Sequence, residues 1–396
     1  MIGNKVKKLV CVFLSVMLVT GLAACKKEET EETKKRKKVE KETTEKANDT
    51  EDPSDKDEST KAPGKQDLIA IDSNTFPDPV IRAYIQENYD YDGDGNLAAD
   101  ELSYATSIYA WGENSTVHDL TGLELLPELS VLSLYDCDIT SIDLQLYPKL
   151  YSLNIGGADL GTLDVRCCQE LTSLDCTNCN ISTLLIDNPK LETLQCYGNN
   201  LTELDLSVCP NLNYLKCDYN PITTLDLSCV PNLEYAYCDC ESLTSIDISQ
   251  NQALLHLDIS SSKIESIDLS SCPNLENFYC SDCIFTSLDL SNNPKLELLW
   301  AQFAGITSLD LSNNQELGYL YVACSDIESL VLPDQPNLSA LSAFCCPMTN
   351  LDISNCPLLI ELVKRAELNE WSDRLLWYDD EASLEIPLDC KLTYPA

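Results

Sequence analysis

The sequence predicts an α/β solenoid, mainly β: one right-handed coil of about twelve repeats, with a helical cap before it and a hairpin cap after it. Three observations carry this. The unit L-x-x-L-x-(C/L/I) begins at Leu129, Leu150, Leu171, Leu191, Leu212, Leu233, Leu254, Leu275, Leu296, Leu317, Leu338 and Leu359, in ten steps of 21 residues and one of 20. Self-similarity at a fixed period in this range marks stacked like units, not independent domains. A second run, Ile/Leu-Thr-x-Leu-Asp-Leu-Ser, recurs half a turn later, as in Leu201 to Ser207, Ile222 to Ser228 and Ile306 to Ser312. It predicts a second ladder on the opposite face. The pattern stops at both ends in segments with helix and hairpin signals. No single coil buries enough apolar surface to offset the entropy of ordering it, so the coils must share one core and need capping.

Charge narrows the function before any motif does. The 396 residues hold 26 Lys+Arg against 65 Asp+Glu, a net of −39, and residues 71–396 keep 11 basic and 51 acidic groups. Nucleic acid is excluded as a partner, because phosphate binding needs a basic stripe. Two His in the chain leave little room for His-based metal sites or catalysis.

In chain order, residues 1–24 read as a secretion signal. Lys5, Lys7 and Lys8 precede the apolar run Leu9 to Val19, broken only by Ser15, and the segment closes on Leu22-Ala23-Ala24-Cys25. Those last four residues resemble the lipobox of bacterial lipoproteins. The resemblance implies that the Cys25 thiol carries a diacylglyceryl group and becomes the mature N-terminus, a membrane anchor. Residues 25–66 are then the lipidated Cys and a charged tether, too poor in apolar side chains to fold.

Residues 67–106 form the predicted cap. Apolar Val80, Ile81, Tyr84 and Ile85 follow Pro79 at helical spacing. Asp90-Tyr91-Asp92-Gly93-Asp94-Gly95-Asn96-Leu97-Ala98-Ala99-Asp100-Glu101 comes next, with carboxylates at loop positions 1, 3, 5 and 12 and Gly at 6. This resembles an EF-hand loop. The resemblance implies calcium held by Asp90, Asp92, Asp94, the Asn96 carbonyl and Glu101, as a structural clamp. Ala98 at position 9 offers no side-chain ligand.

Residues 107–364 are the predicted solenoid, its first, irregular coil near Ile108 to Leu126. Leu191-Glu192-Thr193-Leu194-Gln195-Cys196-Tyr197-Gly198-Asn199-Asn200-Leu201 reproduces L-x-x-L-x-C-x-x-N-x-L without a gap. Here the chain resembles leucine-rich-repeat proteins, and with the helical cap and lipid anchor it looks like an internalin-like surface lipoprotein of a Gram-positive bacterium. The resemblance implies a binding surface. Nineteen Cys remain beyond Cys11 and Cys25, a number that cannot pair completely. Cys176, Cys196, Cys217, Cys238 and Cys280 take unit position 6, where other coils place Leu134, Ile155, Ile259 and Val322, and so read as small core hydrophobes. Cys137, Cys179, Cys283 and Cys346 replace Asn199 and Asn220 at position 9, where a buried side chain caps turn amides. The C-x-x-C pairs Cys176/Cys179 and Cys280/Cys283 follow from this grammar, not from zinc.

In a leucine-rich repeat, unit positions 3, 5 and 7 face outward on the concave sheet. Position 5 gives Lys216, Tyr237, Asp258, Tyr279, Trp300 and Tyr321 in successive coils; positions 3 and 7 add Tyr197, Tyr214, Tyr235, His256, Tyr319 and Phe344. These rings are the candidate ligand-binding residues, with cross-strand stacking that only steadies the sheet as the alternative. On the other ladder, Asp143, Asp164, Asp205, Asp226, Asp247, Asp268, Asp289, Asp310 and Asp352 form a row whose carboxylates must accept nearby hydrogen bonds. Residues 365–396 are the C-terminal cap, with Leu384 to Leu388 as one arm of a hairpin that covers the last edge.

The expected function is a lipid-anchored, non-catalytic binding protein on the extracellular face of the cell membrane, adhesin- or receptor-like. Its partner is a protein or peptide, of positive charge to match the acidic body, with a glycan as the variant ligand. The competing reading is an envelope spacer that binds nothing. No nucleophile motif or phosphate loop points to an enzyme, and His256 with Asp258 lacks a third catalytic group.

Overall fold

One strand per coil is what a unit with an apolar residue at position 4, flanked by outward positions 3 and 5, must produce. In the computed structural model, which describes residues 68–110, 116–368, 375–378, 382–387 and 390–395, these strands join one 14-stranded sheet. The predicted signal, Cys25 and the tether lie outside the described residues. Among the described residues no helix is long and apolar enough to cross a membrane.

The sheet runs in parallel from Ser107–Ala110 through Val131–Leu134 and ten further coil strands to Ala340–Ser342 and then Ala382–Glu385, where Leu375–Tyr378 pairs antiparallel. Register is strict. Tyr214 opposes Tyr235, Tyr235 opposes His256, and Lys216, Tyr237, Asp258, Tyr279, Trp300 and Tyr321 line up strand by strand. The intervening position 4, as at Leu215, Leu257, Phe278, Leu299 and Leu320, is fully buried.

The second ladder is interrupted. Four two-stranded parallel pieces form, including Thr224–Asp226 with Ser245–Asp247 and Ser308–Asp310 with Ser329–Val331. Each acid of the row caps the amide two residues on, as Asp205 does for Ser207 and Asp289 for Ser291. The hydroxyl of the Ser two residues on, and then its amide, hold the Asp205, Asp247, Asp268, Asp289, Asp310 and Asp352 carboxyls below the usual carboxylate range.

Three buried columns tie coil to coil. Position 6 stacks thiols: Cys176, Cys196, Cys217 and Cys238 are fully buried free thiols, with 3.7 Å between Cys217 Sγ and Cys238 Sγ. At position 9, Asn199 Oδ1 accepts from the Cys179 and Ile181 amides at 3.0 and 2.9 Å, and its Nδ2 donates to the Cys176 and Cys196 carbonyls. Where Cys stands instead, the thiol makes one of these bonds, as Cys179 Sγ does to Ile155 O and Cys346 Sγ to Val322 O. Position 19 forms a column that sequence reading overlooked: Asn188, Asn251, Asn293, Asn314 and Gln335 donate to carbonyls of the preceding coil, and Cys168, Cys209, Cys272 and Cys356 fill the same place. Burial pushes the Cys179 and Cys356 thiols up to about 12, so in the absence of a metal they stay protonated. At position 8 most coils turn through the left-handed region, with φ from 52° at Tyr219 to 61° at Cys345 among the non-glycine residues and 68° and 91° at Gly198 and Gly157.

The N-terminal cap docks through the helix α1, Pro79–Asn88. Asp78 accepts from the Val80 and Ile81 amides as its N-cap, and its other oxygen accepts from His118 N at 2.8 Å in the first coil. Phe76, Ile81 and Ile85 are fully buried. Gly122 lies at φ 97°, and a Cβ there would stand 2.3 Å from Thr75 O, so the cap closes on the solenoid only over glycine. A short helix, α2 (Ala99–Tyr104), follows the acidic loop.

The C-terminal end differs from the expected twelfth coil. Eleven unit starts, Leu129 to Leu338, lead strands of the sheet, but Leu359 lies in a helix, α3, Pro357–Leu368. The reason is that L-x-x-L places residues at i and i+3, which share a helix face as readily as they serve a coil. Pro357 at the helix start and Leu362 and Val363, one turn beyond Leu359, decide for helix. The expected hairpin does follow.

Candidate functional site

Strand register brings seven of the ten predicted ligand-face residues into one unbroken chain of rings. Tyr214 lies 6.0 Å from Tyr235 and 5.6 Å from Tyr237; Tyr237 lies 4.4 Å from His256; His256 lies 4.9 Å from Tyr279. Tyr279 and Trp300 stack at 6.1 Å with planes 20° apart, and Trp300 lies 4.5 Å from Tyr321. These rings sit on the solvent side of the sheet and stay partly exposed. Tyr197 joins through other contacts: its ring meets Tyr219 edge-on at 5.2 Å, and Lys216 Nζ stands 5.2 Å from Tyr197 and 5.6 Å from Tyr237. Such spacing suits a cation held between two ring faces. Tyr319 and Phe344 are exposed and stand outside the ring chain.

Carboxylates interrupt this wall. Asp258 takes the place between Tyr237 and Tyr279 in the position-5 line. Asp218 and Asp239 occupy position 7 of the two preceding coils, and the Asp239 amide donates to Asp218 at 3.0 Å. Burial pushes the Asp218 carboxyl up to about 6. Burial, and then the Asp258 charge, pushes Asp239 up to about 7. Asp258 is raised by burial too. His256 is driven the other way by burial, down to about 4, and is neutral at physiological pH. Asp218 and Asp239 were missed in the sequence because position 7 was read for rings alone. The signal lay in reading that column for charge as well as for rings.

The predicted calcium loop brings three of its five ligands together. Asp90, Asp92 and Asp94 offer carboxylate oxygens within 4.8 Å of one another. Asp90 Oδ1 is buried without a hydrogen-bond partner, an orphan that a hard cation would satisfy. Gly95 turns at φ 79°, as a twelve-residue loop of this kind needs at position 6. Asn96 pairs with Ala70 in a two-stranded antiparallel ladder, so the chain's own Ile69–Ala70 supports the loop. Glu101, the last residue of the loop, also makes bonds within it. Its oxygens accept from the Tyr91 and Ala98 amides, each at 2.8 Å, closing the loop through the backbone. The donor set of three converging Asp carboxylates fits a divalent oxygen-seeking ion.

Comparison with known proteins agrees with the fold. The family described as Leucine Rich repeats (2 copies) matches residues 189–229. The functional domain of InlJ from Listeria monocytogenes, described as including a cysteine ladder, aligns with TM-score 0.63 at 29% identity over 74% of this chain and 69% of that one. The internalin InlF from the same organism gives 0.53 at 22% identity, over 71% of this chain and 93% of that one. A leucine-rich-repeat protein of Leptospira interrogans gives 0.51 at 18%, over 69% and 68%. No curated protein matches. The chain is thus a leucine-rich-repeat solenoid with internalins among its structural neighbours.

Proposed function

We propose that this protein is a non-catalytic cell-surface receptor or adhesin, held to the outer face of the cell membrane by lipid on Cys25, that binds a protein or peptide on the aromatic sheet face. Calcium in the Asp90–Glu101 loop serves as a clamp on the N-terminal cap. The observation that carries this reading is the ring chain from Tyr214 to Tyr321, aligned over six coils and partly exposed. Aromatic side chains bring large contact area at little rotamer cost, and a soluble surface does not gather them without a use. The likeness to the InlJ functional domain supports a surface role. The stacked pair Tyr279 and Trp300 would also serve a sugar ring, so a glycan stands as the second reading.

The test is retention of binding partners from envelope and host-cell fractions on the immobilised chain in calcium buffer. A specific partner should be captured and lost with Trp300→Ala. Capture that survives this substitution together with Tyr279→Ala, or no specific capture, would favour the spacer. A glycan array separates the sugar reading.

A further inference from the structure

We propose that Cys324 and Cys345, stacked at unit position 8 of the last two coils, form a thiol–disulfide exchange site that takes a low-molecular-weight disulfide and closes to a bridge between those coils. The site is independent of what the ring face binds.

The repeat accounts for most of the thiols but not for these two. Positions 6, 9 and 19 bury their cysteines as small core groups. Among the described residues four thiols are not buried, Cys167, Cys229, Cys324 and Cys345, and Cys345 is the exposed one. Position 8 lies outside the core, so filling apolar space gives no reason for a thiol there. The chain also turns through the left-handed region at this position, with φ 57° at Cys324 and 61° at Cys345. Gly, Asn and Asp suit that turn best, as Gly198, Asn178 and Asp136 do in other coils. Cysteine twice in succession at such a place points to chemistry, not packing.

Register puts the two side by side. Tyr319 opposes Ala340 and Tyr321 opposes Ser342, and the bonding continues into the turn: Val322 N donates to Ser342 O and Cys324 N to Phe344 O, each at 2.7 Å. Residues at position 8 of neighbouring coils therefore lie one strand spacing apart, about 4.8 Å. A disulfide joins Cα atoms roughly 4.4–6.8 Å apart. Both cysteines share the left-handed turn, so their Cβ vectors point the same way.

Other pairings are less favoured. Cys167 and Cys229 share position 18 but stand three coils apart, beyond the reach of a disulfide. Cys168 Sγ lies 3.9 Å from Cys167 Sγ, but Cys168 is buried and its thiol is raised to about 12 by that burial. Cys346 follows Cys345 in the chain yet faces inward, with its Sγ donating to Val322 O at 3.1 Å and its thiol pushed up by burial.

The reaction has two stages. Cys345, the more exposed, loses its proton, and its thiolate attacks one sulfur of the disulfide RSSR. That S–S bond breaks, and the departing thiolate takes up a proton as RSH. Cys324 then loses its proton and attacks the Cys345 sulfur, expelling the second RSH. Two cysteine thiols are oxidised and one RSSR is reduced. Outside the cell, where the chain is proposed to sit, disulfides form and persist. The bridge ties the Leu338 coil, next to the C-terminal cap, to the Leu317 coil before it.

The experiment treats the full chain, reduced and then freed of reductant, with oxidised glutathione and maps its disulfides by mass spectrometry after rapid alkylation. The Cys324–Cys345 bridge should form at least tenfold faster than any other within the solenoid, and the thermal midpoint should rise with it. Cys324→Ser should stop the reaction at a glutathione adduct on Cys345. Cys345→Ser should slow adduct formation on Cys324 at least tenfold. Serine already stands in this turn at Ser261, φ 58°, so both reduced variants should keep the thermal midpoint of the reduced parent. An earlier bridge elsewhere, such as Cys167–Cys168 or Cys217–Cys238, overturns the proposal. So does an unreactive Cys345, or a Cys345 adduct that persists with Cys324 present.

Discussion

At unit position 9 an asparagine does the work of four hydrogen bonds, and its column-mates show what each bond is for. Asn199 satisfies two amides and two carbonyls in adjacent coils. Asn199→Ala should therefore cost about 2–3 kcal/mol, read as a lower urea midpoint, whereas Cys179→Ala, which removes one weak thiol donor, should cost less. The buried acids make a second prediction at this scale. Asp218 and Asp239 are raised in the folded protein to about 6 and about 7 from an ordinary 3.8. The folded state therefore holds their protons more tightly. The stability they contribute is full below the unfolded value and is lost as pH rises through 6 to 7. The capped surface acids such as Asp205 and Asp310 are lowered and act oppositely, losing their contribution as pH falls below about 4. The thermal midpoint should rise from pH 7.5 to about pH 5, and Asp239→Asn should flatten that rise. Residues of this kind are poorly legible in a sequence. The ring line was readable because it recurs at two positions of the unit, 3 and 5. The position-19 column was not, because Cys, Asn, Gln, Val and Tyr alternate there, often before Pro, and each looks like an ordinary turn residue.

Among elements, the acidic loop is the one whose chemistry reaches beyond itself. It lies between α1 and α2, and α1 is fixed to the first coil by Asp78 and by Tyr89, whose hydroxyl donates to Ser107 O. Calcium at about 100 times its Kd should stabilise the cap by roughly 2.7 kcal/mol. Chelation should lower the thermal midpoint and speed amide exchange in residues 79–88, and Asp92→Ala should abolish the difference. The loop and its three converging acids were legible because their spacing is a complete motif. The backbone role of Glu101 was not, since the same residue type at the same place can ligate an ion or cap α2. The ambiguity at Leu359 has a similar origin: one spacing satisfies two geometries, and only flanking Pro357 and Val363 separate them.

For the whole molecule, stability comes from neighbours, so integrity depends on period more than on content. Deleting residues 150–170 removes one 21-residue coil remote from the ring chain and restores every column, because Leu171 falls where Leu150 stood. The shortened protein should fold, with a urea m-value reduced in proportion to the surface lost. Deleting residues 150–160 instead breaks every column and should unfold the neighbouring coils. The fold as a whole was legible for this reason, since each inward position is written about eleven times and a single exception cannot disguise it.

A sheet bonded without a gap on one side and only in separate pieces on the other behaves mechanically like a leaf spring with its backing slotted. Flexing stretches the slotted side, where no continuous hydrogen-bond ladder resists, while the bonded side keeps its spacing. A partner seated along the rings can therefore draw the two ends toward it by small adjustments shared among many coils, and its grip would be felt at both caps without any hinge.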